Sequence, residues 1–163
     1  MYGSTHLAIG VATTLPFVLS KDLSVIPAIL GLPAAIGPDY DKKLNMVHRG
    51  FSHSAIATWC IYCGVALISA KLLPANNIFI PGNDLEFSIG LNYFSHIFAD
   101  SFTTKGVQFL WPYKKRLGLK LFTVTKKNDY IIRVLVWIVV ACELVMMTEL
   151  KNIFIPVINS LIK

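Results

Sequence analysis

Seven residues of this 163-residue chain carry the chemistry of a metal centre: His6, Asp39, Asp41, His48, His53, His96 and Asp100. Four of them lie in one short stretch, PDYDKKLNMVHRGFSHS at positions 38–54. Asp39 and Asp41 flank Tyr40, and such a pair can converge on one cation or bridge two. His48 and His53 stand on either side of an Arg49–Gly50 turn. His96 and Asp100 are spaced i,i+4, which puts both on one face of a helix. Imidazole mixed with carboxylate suits zinc and similar borderline divalent ions. Seven such groups exceed the needs of one tetrahedral ion, so one or two ions are expected, activating water against an ester or phosphoester. Arg49 is the candidate clamp for phosphate oxygens. Taken singly, each element has a structural explanation: the aspartates as turn residues, the His96–Asp100 pair as a helix contact, His6 as a surface side chain. Their meeting in one place would not.

What must bring them together is a bundle of membrane helices. Hydrophobic residues make up 55% of the chain and charged ones 15%, with a mean hydropathy of +0.60; a soluble domain carries about 25% charge. The net charge of +6 does not point to nucleic acid, because the cations punctuate apolar segments. The expected fold is all-α, a single polytopic membrane domain over 1–163 with about five membrane helices. The runs at 7–20 and 23–37 would each give about 22 Å of helix, short of the roughly 30 Å hydrocarbon core. They are expected to be short or re-entrant, kinked by Pro16, Pro27 and Pro33. The run at 53–73 is long enough to span, with Ser52 as its N-cap. Runs at 87–102 and 130–148 follow, and the tail at 152–162 would lie in the interface or partly re-enter.

An even number of crossings separates position 6, the forties and position 100, so all four histidines should share one face. Ten Lys or Arg residues fall on that side, against Lys21, Lys71, Lys151 and Lys163 on the other. That asymmetry puts the site in the cytoplasm. Cys60 and Cys63, two of the chain's three cysteines, form one isolated CxxC within an apolar run and read as helix packing. Glu143 lies mid-span, too deep to join the site. The segment MYGSTHLAIG lacks a basic n-region, so a cleaved signal peptide is not expected.

The order His6, PDYD at 38–41, HRGFSHS at 48–54, HxxxD at 96–100 and TTKG to WP at 103–112 resembles the YdjM-like proteins. That family is described as LexA-regulated, membrane-bound, metal-dependent hydrolases of the bacterial inner membrane, remotely similar to zinc-dependent phospholipase C and the P1-type nucleases. The resemblance covers about residues 1–116. It implies Asp39, His53, His96 and Asp100 as ligands, His6 as a fifth, and Asp41 with His48 as a second ion's ligands or as acid and base. No histidine follows His96, which departs from the soluble enzymes' further ligands. The function it implies is hydrolysis of a lipid or other membrane-associated phosphoester. The alternative is a metal- or proton-coupled transporter, and a third is a membrane protein whose metal only fixes the fold.

Overall fold

The computed structural model describes residues 1–72 and 83–161, with side chains to Thr148. Among them the architecture is all-helical: α1 (Gly3–Ser20), α2 (Val25–Gly31), a 3₁₀ segment (Leu32–Lys42), a second 3₁₀ turn (Phe51–His53), α3 (Ala55–Leu72), α4 (Asp84–Ser101) and α5 (Lys126–Leu161). α4 is the hub, packed on α1, α2, the long 3₁₀ segment and α3, while α5 lies along α1. Small residues let these helices approach. A Cβ on Gly31 would stand 2.0 Å from Ser88 Oγ and 2.8 Å from the Ser88 carbonyl carbon, and one on Gly10 would meet Asn92 Oδ1 at 2.4 Å. Gly31→Val is therefore expected to cost about 1–3 kcal/mol by overpacking, visible as a lowered melting temperature in detergent micelles.

The pattern of burial is inverted relative to a soluble core. Among the described residues, fifteen polar or charged residues are buried against ten hydrophobic ones, four of which are alanines other than Ala57. Trp59, Leu67 and Ile68 on α3, with Leu135, Ile138 and Val145 on α5, turn outward. α3 and the α5 stretch Lys126–Thr148 are long and apolar enough to cross a membrane, and only 6% of each is buried. Lipid is the solvent that such faces fit.

Several element boundaries differ from the sequence expectation. α1 begins at Gly3 and has 18 residues, about 27 Å of helix, so it is longer than the first apolar run. The second run is not one helix: Pro33 opens, and Pro38 sits within, an 11-residue 3₁₀ segment, because two missing N–H groups disfavour the α ladder. The N-cap of α3 is Ser54, not Ser52; Ser54 Oγ accepts the Ala57 N–H at 3.1 Å, while Ser52 turns to Asp41. α5 continues to Leu161, so the tail extends that helix.

The segment joining α4 to α5 has no regular structure but is folded back on itself. Thr103 pairs with Phe122 and Val107 with Leu117, and Gln108 N–H donates to the Arg49 carbonyl at 3.3 Å. It thereby packs against the turn that carries the opening motif.

Candidate metal centre

Each candidate ligand reaches the site from a different element. His6 projects from the first turns of α1, whose start is tied to α5: Asp129 accepts from the Tyr2 backbone N–H at 2.9 Å and the Thr5 hydroxyl at 2.5 Å. Asp39 and Asp41 ride the long 3₁₀ segment, His53 closes the short one, and His96 and Asp100 face inward from α4. All four histidines meet. His6 stacks on His96 with ring centroids 3.6 Å apart, His53 stands 5.1 Å from His96, and His48 5.3 Å from His53. His6, His53 and His96 are fully buried, as is Asp100.

The decisive contact is between His53 Nε2 and His96 Nε2, 3.2 Å apart. His96 Nδ1 lies 2.7 Å from the Ala35 carbonyl, which can only accept, so the His96 proton sits on Nδ1. Ser52 donates its hydroxyl proton to Asp41 Oδ2 at 2.8 Å, which leaves its oxygen to accept from His53 Nδ1 at 2.9 Å. Both Nε2 atoms thus carry bare lone pairs, and they point at one another. Two carboxylate oxygens complete the cluster. Asp39 Oδ1 is 3.9 Å from His53 Nε2 and 4.0 Å from His96 Nε2; Asp100 Oδ2 is 3.8 Å and 4.0 Å from the same atoms. The two Nε2 lone pairs have no proton between them and repel, and a shared cation would remove that repulsion, although each carboxylate oxygen already has a cationic neighbour, Lys42 Nζ for Asp39 Oδ1 and Arg49 Nη2 for Asp100 Oδ2. Zinc held at about 2.0–2.1 Å needs tetrahedral ligand–ligand edges of about 3.3 Å, within reach of these spacings by small side-chain shifts. The residues fit a divalent ion.

His6 sits at the margin of this cluster. Its Nε2 is 3.4 Å from Asp100 Oδ1, and neither ring nitrogen has a hydrogen-bond partner among the described residues. It joins His96 and Asp100 in one grouping of ligand atoms, while Asp39, His48 and His53 form another. Asp100 Oδ1 also lies 2.9 Å from the Met1 nitrogen.

The two aspartates do not converge, contrary to one sequence expectation. Successive 3₁₀ residues turn about 120°, so positions two apart point to different sides and positions three apart eclipse. Asp39 accordingly pairs with Lys42 at 2.9 Å, while Asp41 turns behind the histidines. Asp41 Oδ1 holds His48 Nδ1 at 2.9 Å. Its Oδ2 accepts the Arg49 backbone N–H at 3.1 Å and the Ser52 hydroxyl, with His53 Nδ1 3.4 Å away. The structure therefore gives Asp41 the place of a carboxylate behind the ligands, which orients imidazoles and raises their basicity. Arg49 is likewise committed to the protein: Nη2 lies 2.7 Å from Asp100 Oδ2, and Nη1 donates to Thr103 Oγ1 at 2.7 Å and the Gly106 carbonyl at 3.3 Å. It is 3% exposed with φ of 63°, a backbone state that bulky residues rarely adopt away from functional sites. It braces Asp100 and is not an open phosphate clamp. Glu143 sits far along α5, beside Ile9 and Thr13 of α1, in an apolar groove apart from the site.

Sequence reasoning missed Thr103, Tyr93 and Ala35. Thr103 relays Arg49 to the Asp100 carbonyl at 2.8 Å, and Tyr93 donates to the Ser52 carbonyl at 2.7 Å. Thr103 begins the TTKG block already singled out, so a signal was present; a backbone carbonyl such as Ala35 leaves none.

Protonation states agree with ligation. Burial holds the His53 imidazole down to about 4 despite the opposing pull of Asp100 and Asp41, so the ring is neutral at pH 7. Burial would raise Asp39, but the Lys42 hydrogen bond and nearby positive charge keep its carboxyl below the ordinary value, hence ionised. For Asp41, burial is likewise outweighed by the hydrogen bonds from Ser52, His48 and the Arg49 N–H. Because His53 is depressed in the folded state, the unfolded chain binds its proton first as pH falls. Stability of the metal-free protein should drop between about pH 6.5 and 4, and His53→Gln should flatten that slope in melts read across the range.

A family profile described as YdjM inner membrane protein matches residues 1–161. The chain belongs to the YdjM inner membrane protein family. This YdjM-family chain is 37% identical over 82 residues to the "Inner membrane protein YdjM" of Escherichia coli (strain K12), and equally to that of Shigella flexneri. The match takes in 50% of this chain and 39% of each relative's length. No solved structure matches it. It is a membrane protein, in keeping with the outward apolar faces of α3 and α5.

Proposed function

We propose that this YdjM-family protein is a metal-dependent hydrolase that cleaves a phosphoester of a lipid or another membrane-associated substrate. Its site would face the cytoplasm of the bacterium, on the side that carries the excess of Lys and Arg. The observation that supports this reading is the 3.2 Å approach of the two unprotonated Nε2 atoms of His53 and His96, ringed by Asp39 and Asp100. Those four would hold the first ion, with His6 as a fifth ligand or as part of a second site through Asp100. When bound, a divalent ion such as zinc supplies Lewis acidity and a nucleophile usable at neutral pH.

The chain's own residues do the rest. Asp41 and Ser52 fix the His53 ring, and Arg49 balances the charge of Asp100 from behind. His48 is one-third exposed, with Nδ1 held by Asp41; an imidazole so held is suited to pass a proton to a leaving oxygen. Purified protein in nanodiscs should cleave at least one member of a panel of phospholipids and prenyl phosphates, and His96→Ala should not. Wild type that retains metal yet cleaves none of them would overturn hydrolysis, and metal-dependent flux in liposomes under the same conditions would favour transport.

A further inference from the structure

A cleft of about 260 Å³ leads from the exposed polar end of the bundle to the centre. Asp39, Lys42, His48, Arg49, Lys105 and Thr123 are among its lining residues. Lys42, Arg49 and Lys105 thus share one cleft with the carboxylate of Asp39, a candidate ligand. Lys42 Nζ lies 2.9 Å from Asp39 Oδ1, the oxygen that also faces His53 and His96. If Asp39 held a divalent cation, the Lys42 ammonium would be repelled; it is half exposed on a flexible stem and could turn towards the cleft. Lys105 is an exposed lining residue of the cleft. Arg49 is closed to any ligand through both Nη atoms, yet its Nε–H is buried without a partner and belongs to a residue of the cleft wall.

We infer that this cleft is an anion subsite, in which Lys42 and Lys105 hold the non-reacting oxygens of a phosphate whose ester bond lies at the metal centre. Substrate selection then falls to these two lysines and not to Arg49. The volume admits a phosphate with a few further atoms, so any larger remainder of the substrate must project outward. The inference deepens the proposed hydrolysis and rests on it for the bond broken, but not for the binding of the anion. A phosphate group of a lipid and that of a soluble phosphoester share this chemistry. The segment carrying Lys105 also exposes Leu110, Leu119 and Leu121 beside Lys114, Lys115, Arg116 and Lys120, a composition suited to an anionic leaflet.

The test is titration of inorganic phosphate into full-length protein in zwitterionic nanodiscs, zinc-loaded and chelated, with zinc content read on every sample. Lys105→Met and Lys42→Met should each weaken phosphate binding about tenfold or more, the loss of a charge-assisted hydrogen bond, while Lys115→Met, outside the cleft, should not. Displacement of phosphate by phosphatidic acid in the nanodisc, or by soluble glycerol phosphate, supports the subsite and tells which source supplies the anion. Equal phosphate affinity in wild type, Lys105→Met and Lys42→Met overturns it, as does a wild type without saturable phosphate binding. Lysine-dependent phosphate binding in a wild type that takes up no zinc supports the subsite and overturns the hydrolase reading alone.

Discussion

Replacing Arg49 with methionine is expected to destabilise the metal-free protein by about 3–5 kcal/mol, the cost of leaving a buried charge without its partner. Asp100 is 1% exposed, and Arg49 Nη2 is its closest cation at 2.7 Å. The same guanidinium links α4 to the segment beyond it through Thr103 and Gly106, so the loss should spread beyond one ion pair. Arg49→Lys should recover only part, because an ammonium cannot serve both directions with the geometry of a planar fork. Unfolding titrations in mixed micelles with chelator present would measure this. A methionine variant as stable as wild type, but unable to bind phosphate, would instead return Arg49 to the role of substrate clamp.

Asp41→Asn is expected to weaken zinc retention about 10–100-fold, although Asp41 touches no ligand position, because groups behind the ligands set their orientation and basicity. Three donors converge on its carboxylate, His48 Nδ1, the Arg49 N–H and the Ser52 hydroxyl, and the Ser52 oxygen in turn accepts from His53 Nδ1. An asparagine amide offers one acceptor oxygen and turns its own donors towards the others. The Ser52 bridge would loosen first, and His53 would then be able to place its proton on Nε2. Competition against a graded series of chelators gives the affinity, and a melt on the same sample separates it from unfolding. Unchanged affinity would remove Asp41 from the support of the centre.

The gathering of these groups was expected from the sequence on the argument of chain parity, and the residues do meet. On that argument, apolar runs returning an even number of times would bring His6, the forties and the His96–Asp100 pair to one end, whether the first runs span or re-enter. Which carboxylate faces the ion was not legible. That follows from the 3₁₀ winding imposed around Pro33 and Pro38, which separates Asp39 from Asp41 by rotation, and spacing alone suggests convergence. Arg49 illustrates a second limit: a lone arginine near histidines reads as an anion clamp until Asp100, 51 positions on in the numbering, is seen beside it. The His96 tautomer depends on the Ala35 carbonyl, and backbone acceptors are identical at every position. The exchange of Ser52 for Ser54 as cap has the same origin, since two serines one residue from a histidine cannot be told apart without the partner that claims one of them.

The most direct test of the centre is elemental analysis of protein purified without chelator, beside His96→Ala and Asp100→Ala. Wild type should carry one or two divalent ions per chain, zinc among them, and each variant should carry markedly less while His96→Ala stays folded. Wild type that holds no divalent metal and takes up none from added zinc would contradict the account, because nothing would then lie between the two facing imidazole nitrogens.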